Sequence, residues 1–556
     1  MKQLKHFLPI IFIFLLSLVS VIPFFHPGFF PIHDNTQVQR VFEMTKSLKG
    51  GMFPVRWVGD LGFGYGYPIF NFYAPLAYYL GSFFNILGLD ILFSTKLMMV
   101  LGIISSGFSM YFLAKEIWGK SGGIISALLY VFIPYHAIDI YVRGDVAEFW
   151  AYAFIPLIFY CLLKIHKTGK FRFIAIGALS YAALIVSHNL TALMATPFIF
   201  IFAGLLFLGN KKTGKNLLIT IILGLLFSAF YWLPALLEIN YTNVMSQIGG
   251  GADYKDHFVC LSQLWTSPWG FGGSVKGCVD GLSFMIGKMH ILLSLVSIIF
   301  FGLAWYLKKI EKKKGYLLIY FFIALLFSVF MTLDYSKFIW DFIKPMALFQ
   351  YPWRFLLMVA FFISLISGSI FYSFQAIFKN KWINLLILIA LSLVIVVFNG
   401  KYFMAQKYLS VSSSDFTNNY FLKFKTSQIS SEYMPKNFSK PKEYSGVPEG
   451  ITTVDGKVTV VNQSIRAGEY MINYIADSAS KIIVPIAYFP AWRVKLDGKS
   501  YSYQPENNGL LVDLPNGSHL LDFYFKETGV ELLSDILSLS GIFVLVIGII
   551  LKKKAL

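Results

Sequence analysis

Tyr67-Pro-Ile-Phe-Asn-Phe-Tyr-Ala-Pro-Leu-Ala-Tyr-Tyr-Leu80 is apolar enough to cross a bilayer, and whether it does decides the topology of the chain after it. Pro68 and Pro75 interrupt the run. Its dense tyrosines and phenylalanines are the kind of side chain that collects at headgroup level. Counting 67–89 as a span would throw Lys115 and Lys120 outside and disrupt the later loops. We therefore read 26–93 as one outer loop carrying one or two helices on the membrane surface. Asp34 to Lys49 forms the other such helix, with Asp34 and Asn35 as its caps.

The rest of the chain agrees with a membrane protein. Of its 556 residues, 56% are hydrophobic and only 14% charged, and mean hydropathy is +0.64. Soluble domains carry about 25% charged residues. This composition excludes an ordinary cytosolic enzyme, a disordered chain and a nucleic-acid partner, despite a net charge of +18. Windows long enough to span lie near 7–25, 95–114, 121–136, 150–163, 173–190, 191–209, 216–237, 289–307, 315–333, 353–378, 382–399 and 530–551.

With the N-terminus inside, every inner loop of this twelve-span chain receives at least two basic residues. They are Lys2/Lys5, Lys115/Lys120, Lys164/Lys167/Lys170/Arg172, Lys211/Lys212/Lys215, Lys308/Lys309/Lys312/Lys313/Lys314, Lys379/Lys381 and Lys552/Lys553/Lys554. That segregation is the positive-inside pattern. The first run lacks a small-residue cleavage site and is read as a retained span. The expected location is a bacterial-type inner membrane, with both termini inside and the polar chemistry facing out.

Three parts follow. Residues 1–400 form the transmembrane domain, with outer loops at 26–93 and 238–288. Residues 401–528 form an outer β-rich domain, and 529–556 supply a final span with a basic tail. Alternating runs at Lys457–Val461, Lys481–Ile486 and Leu520–Phe525, separated by turns at Asp497-Gly498, Asn508-Gly509 and Asn516-Gly517, indicate a β-sandwich. Its role is recognition, a lid or a passive cap.

Ionisable residues are essentially absent from mid-membrane positions, which weighs against an ion-coupled transporter. They gather at the outer helix ends instead. Pro31-Ile-His-Asp-Asn-Thr-Gln-Val-Gln-Arg40 places Asp34 just beyond the first span, as a helix cap, a general base or a cation ligand. His33, Gln37 and Arg40 would support it. Tyr141-Val-Arg-Gly-Asp-Val-Ala-Glu148 holds Arg143, Asp145 and Glu148 within six residues, either as a local ion pair or as carboxylates for a cation. His136 and Asp139 flank it. Ser187-His-Asn-Leu-Thr191 places His188 and Asn189 in a tight hairpin. Phe349-Gln-Tyr-Pro-Trp-Arg354 brings Gln350 and Arg354 to a helix entrance, where Arg354 could grip a phosphate or anchor to headgroups. Cys260 and Cys278 lie on the side that permits a disulfide.

The arrangement resembles the GT-C superfamily of integral-membrane glycosyltransferases, with an acidic residue opening the first outer loop and a second acidic site in the next. It is also similar to YfhO-type bacterial membrane proteins and to 6-pyruvoyl-tetrahydropterin-synthase-related membrane proteins. That similarity rests on the Arg-Gly-x-x-Ala-Glu stretch, His188-Asn189, Gln350-Tyr-Pro-Trp-Arg354 and Tyr488-Phe-Pro-Ala-Trp-Arg-Val-Lys-Leu-Asp-Gly498. The resemblance implies a polyprenyl-phosphate sugar donor and a glycan, lipid or protein acceptor at the bilayer surface. It implies inverting transfer, with Asp34 as base and with Arg143, His188 and Arg354 on the donor phosphate. Asp145 and Glu148 would then orient the acceptor or, together with Asp34, hold a divalent cation (Mg or Mn). The first loop has one acid where GT-C enzymes commonly carry a pair. Rival readings are a lipid or glycan transporter and a non-catalytic envelope-assembly protein.

Overall fold

In the computed structural model, residues 4–249 and 252–553 are described, so the expected basic residues Lys2 and Lys554 lie outside them, as do the side chains of Lys5, Lys552 and Lys553. Nine helices among the described residues are long and apolar enough to span, or ten if the bent pair Lys211–Phe227 and Ala229–Leu237 is one span. The difference from twelve windows has local causes. Windows 95–114 and 121–136 fall in one element, Ile91–Val131, which breaks at Gly119 (φ +80°). A Cβ on Gly107 would sit 2.8 Å from Val131, so the two arms fold back as a hairpin. Window 173–190 is the short apolar helix Phe171–Ser187. Every window thus meets a helix.

Within 67–89 no helix is long enough to cross a bilayer. The segment folds as Ile69–Phe72 and Leu76–Ile86, short helices set off by the two prolines. The helix expected from Asp34 begins later, at Gln37, with Thr36 at its cap position and no side-chain capping bond. Asp34 therefore does not cap this helix, and its carboxylate is left for other work.

The charges segregate by helix end. Helix Val146–Thr168 starts beside Asp145 and finishes where Lys164 and Lys167 bond Glu116, at 3.2 and 2.8 Å. Its 23 residues separate these ends by about 34 Å. Lys314 reaches the Ile117 carbonyl on the same lysine-rich face.

Strands begin at Thr452, later than the expected 401, because 401–451 is helical turns and irregular chain. That segment wedges against the first outer loop: the Ser427 hydroxyl accepts from the Phe63 amide at 2.9 Å. Among the described residues nine strands, β1 (Thr452–Asp455), β2 (Val458–Arg466), β3 (Glu469–Ala476), β4 (Ser480–Val484), β5 (Trp492–Leu496), β6 (Lys499–Tyr501), β7 (Gln504–Glu506), β8 (Gly509–Leu514) and β9 (Gly517–Phe525), make two antiparallel sheets ordered β1-β4-β8-β7 and β2-β3-β9-β5-β6. Alternate residues such as Ile472, Phe523, Ile482 and Val512 are buried, as a sandwich requires. The three Gly-containing turns join β5–β6, β7–β8 and β8–β9. Trp492 of β5 (Trp492–Leu496) meets Trp57 edge-on at 5.2 Å, docking the sandwich on the first outer loop. The final helix, Gly529–Lys553, follows directly.

Candidate active site

The site is assembled where the first outer loop is stitched to the second. The His33 and Asp34 amides donate to the Val142 and Arg143 carbonyls, both at 2.9 Å. Gln37 Nε2 donates to the Gly144 carbonyl at 2.8 Å and Gln37 Oε1 accepts from Tyr78 at 2.6 Å, so this side chain is fully used in the seam. Gly144 has φ +66°, and a Cβ there would fall 2.4 Å from Ile32. A glycine is needed on both counts.

Arg143 lies at the centre of the second loop. It pairs with Asp139, with Asp145 Oδ2 at 2.7 Å and with Glu148 Oε2 at 2.9 Å. Its guanidinium carbon lies 4.6 Å from the Trp353 ring centroid. The Tyr135 hydroxyl donates to Glu148 Oε1 at 2.7 Å. Asp145 Oδ1 also caps helix Val146–Thr168 by accepting from the Glu148 amide at 3.0 Å. Burial would raise the Asp145 pKa, but Arg143, His188, Arg354 and that amide outweigh it and hold the value at about 2.

Asp34 faces this network at its partly exposed rim. Its carboxylate has no hydrogen bond to any described residue, yet it lies within electrostatic reach of Asp145, Arg40, Arg143 and Arg354. Burial and the Asp145 charge raise its proton affinity, against the three arginines. Arg354 sits with Nε 3.6 Å from Glu148 Oε2, and its NH1 donates to the Phe349 carbonyl at 3.3 Å. His188 belongs to the same group and senses Asp145, Arg354, Glu148 and Arg143. Its Nδ1 is bonded to Thr191 Oγ1 at 2.7 Å. Burial lowers its pKa, so it is neutral at physiological pH.

The structure therefore brings Asp34, Arg143, Asp145, Glu148, His188 and Arg354 within electrostatic reach of one another. Arg143 is spent on three carboxylates, which leaves Arg354 as the better-placed partner for an anion. Neutral His188 can offer a hydrogen bond but not a standing charge. Arg40 bonds Tyr78 and Ser430, at 3.2 and 3.1 Å, and lies 4.2 Å over Tyr73; it braces the loop. His33 is exposed and meets the Phe271 carbonyl at 3.0 Å. Asn189 is exposed and bonds its neighbour's amide, and Gln350 reaches the Gln247 carbonyl at 3.3 Å. Neither joins the cluster. Cys260 and Cys278 form a disulfide with Cα atoms 5.6 Å apart, in the large outer loop.

The expected cation set does not fit. Among the described residues no three His, Cys, Asp or Glu side chains gather as metal ligands. Asp145 and Glu148 direct their oxygens at Arg143, Tyr135 and an amide, where a Mg or Mn ion would need them free. Tyr135 and Trp353 were not singled out from the sequence, although Trp353 lies inside the quoted Gln-Tyr-Pro-Trp-Arg motif. Asp139, a flanking residue there, is a direct ligand of Arg143.

Residues 70–254, a third of the chain, match a family model described as 6-pyruvoyl-tetrahydropterin synthase related domain, membrane protein. The match agrees with one of the resemblances read from the sequence. It takes in Arg143, Asp145, Glu148 and His188 and leaves out Asp34 and Arg354. An uncharacterized protein of Lactococcus lactis subsp. cremoris (strain MG1363) is 26% identical over 242 residues, covering 41% of this chain and 39% of that protein. The oligosaccharyltransferase of Archaeoglobus fulgidus in its apo form matches at 12% identity and TM-score 0.45, over 80% of this chain and 62% of that one. The oligosaccharyltransferase AglB of Archaeoglobus fulgidus in complex with an inhibitory peptide and a dolichol-phosphate matches at 12% identity and TM-score 0.42. The chain thus spans well under half the length of the bacterial relative and under two thirds of the archaeal enzyme.

Proposed function

We propose that the protein is a membrane glycosyltransferase that moves a sugar from a polyprenyl-phosphate carrier to an acceptor on the outer side of the membrane. One observation carries the reading: the Asp34 carboxylate, which has no hydrogen bond among the described residues, faces a buried charge cluster that also holds Arg354. A base without a competing partner and an arginine with spare donors are what displacement at a sugar–phosphate bond requires.

In this reading the acceptor hydroxyl attacks the anomeric carbon as Asp34 takes its proton. The bond from the anomeric carbon to the lipid phosphate oxygen breaks, and its electron pair leaves on that oxygen. Arg354 meets the developing charge, and neutral His188 donates a hydrogen bond. Arg143, clamped by Asp139, Asp145 and Glu148, fixes Trp353 and the floor of the site. Direct displacement inverts the anomeric centre. The acceptor is a glycan, a lipid or a protein.

The test is turnover of a radiolabelled polyprenyl-phosphate sugar by the purified chain in proteoliposomes, with a hydroxyl acceptor on the outer side. The expected result is label on the acceptor with stoichiometric lipid phosphate. Label crossing the bilayer still attached to its lipid, with no transfer, would establish the transporter in its place. Arg354→Met should lower turnover by about 10²- to 10³-fold, the scale for removing one such group.

A further inference from the structure

We propose a second ligand site, at the lysine-rich end of the helices, that takes the headgroup of an anionic phospholipid. It does not depend on the glycosyltransferase reading. A cavity of about 450 Å³ is lined there by Gln375, Lys379, Lys381 and Asn384, with Leu385 and Leu388 as an apolar wall. This open recess is bordered by three chain reversals or ends: the Gly119 turn, the end of the 352–377 span and the start of helix Lys381–Gly400.

The lining has the charge of an anion site. No acidic residue contributes to it. Among the described residues neither Lys379 nor Lys381 makes an ion pair, whereas Lys164 and Lys167 at the same end are both paired with Glu116. Gln375 Nε2 donates to Ser121 Oγ at 3.2 Å, tying the turn to the cavity wall. Asn384 is buried, and among the described residues its Oδ1 has no hydrogen-bond partner.

The apolar side points to a lipid rather than to a free phosphate. Leu385 is exposed beside the lysines, and Trp382 in the first turn of the same helix is 80% exposed. An apolar helix face of this kind at the end of a span is covered by acyl chains. Two lysines at the interface, a polar recess and a flanking greasy surface match the way basic pockets between spans hold anionic headgroups.

The experiment uses the full chain in detergent micelles, following melting temperature while short-chain phosphatidylglycerol is added. Phosphatidylcholine of the same chain length and glycerol phosphate are run in parallel. Phosphatidylglycerol should raise the melting temperature in a saturable way, and the other two should not. The double change Lys379→Gln/Lys381→Gln should weaken that response by about tenfold or more. Lys308→Gln/Lys309→Gln, outside the cavity, should leave it intact. Leu385→Trp, which fills the cavity wall and keeps both charges, should give the same loss should the double variant not fold. An equal response to phosphatidylcholine or to glycerol phosphate overturns the proposal. So does an undiminished response in the Lys379/Lys381 or Leu385 variant, or an equal loss in the Lys308/Lys309 variant.

Discussion

The proposed chemistry turns on Asp34, whose surroundings make its behaviour measurable. Burial and the Asp145 charge raise its proton affinity, while Arg40, Arg143 and Arg354 pull it down. A base works only when ionised, so the acid limb of kcat/KM should lie above the ordinary aspartate range and activity should rise with pH through it. Arg40→Gln removes one of the restraining charges, and we expect that limb to move to higher pH by about one unit. A limb that stays in place in this variant would contradict the electrostatic picture. Asp145 is held at about 2, so it remains ionised across that range and contributes no limb of its own. Asp34 was legible in the sequence because an acid directly after a first span is conspicuous. The commitment of Arg143 was not, since the spacing of Asp139, Asp145 and Glu148 does not reveal that all three converge on one guanidinium.

The loops and helices around the site depend on a few close approaches. Gly144→Ala would force a left-handed Ala at a cost of about 1–2 kcal/mol and drive its Cβ into Ile32, two residues from Asp34. The melting temperature and the turnover should both fall, and a second change, Ile32→Ala, should restore part of each. No recovery would mean that Gly144 matters for another reason. On the far side of the same loop, Arg56 is buried and bonds Asp535 Oδ1 of the final helix at 2.6 Å. Beside it, Asn71 donates to Glu531 at 2.6 Å. Arg56→Met leaves these carboxylates without their cation and should destabilise the chain by about 3–5 kcal/mol, read as a lower midpoint in detergent denaturation. Hydropathy located each of these helices. It separated the two arms at the charged stretch around Gly119, but it could not locate the 66° bend after Phe227, which turns the backbone without interrupting the apolar run. By composition the stretch 401–451 belongs with the sandwich. Its turns instead pack against the first outer loop, a tertiary contact that alternation cannot signal.

At the scale of the whole molecule, the Asp34 cluster and the lysine-rich ends occupy opposite ends of the same helices, and the expected orientation puts the first outside and the second inside. Cys161 is buried and Cys260 is bonded to Cys278, so introduced thiols can be read without competition. In intact cells an impermeant reagent should label Lys499→Cys in the sandwich and spare Lys313→Cys until the membrane is opened. The reverse pattern would turn the molecule over and move the site to the cytoplasm. The most direct test of the account is the release of lipid phosphate from a polyprenyl-phosphate sugar, comparing the reconstituted wild-type chain with Asp34→Asn. The account predicts that the variant inserts, keeps its melting temperature and binds the donor, but turns it over about 10²- to 10⁴-fold more slowly. Unimpaired release by Asp34→Asn would contradict it.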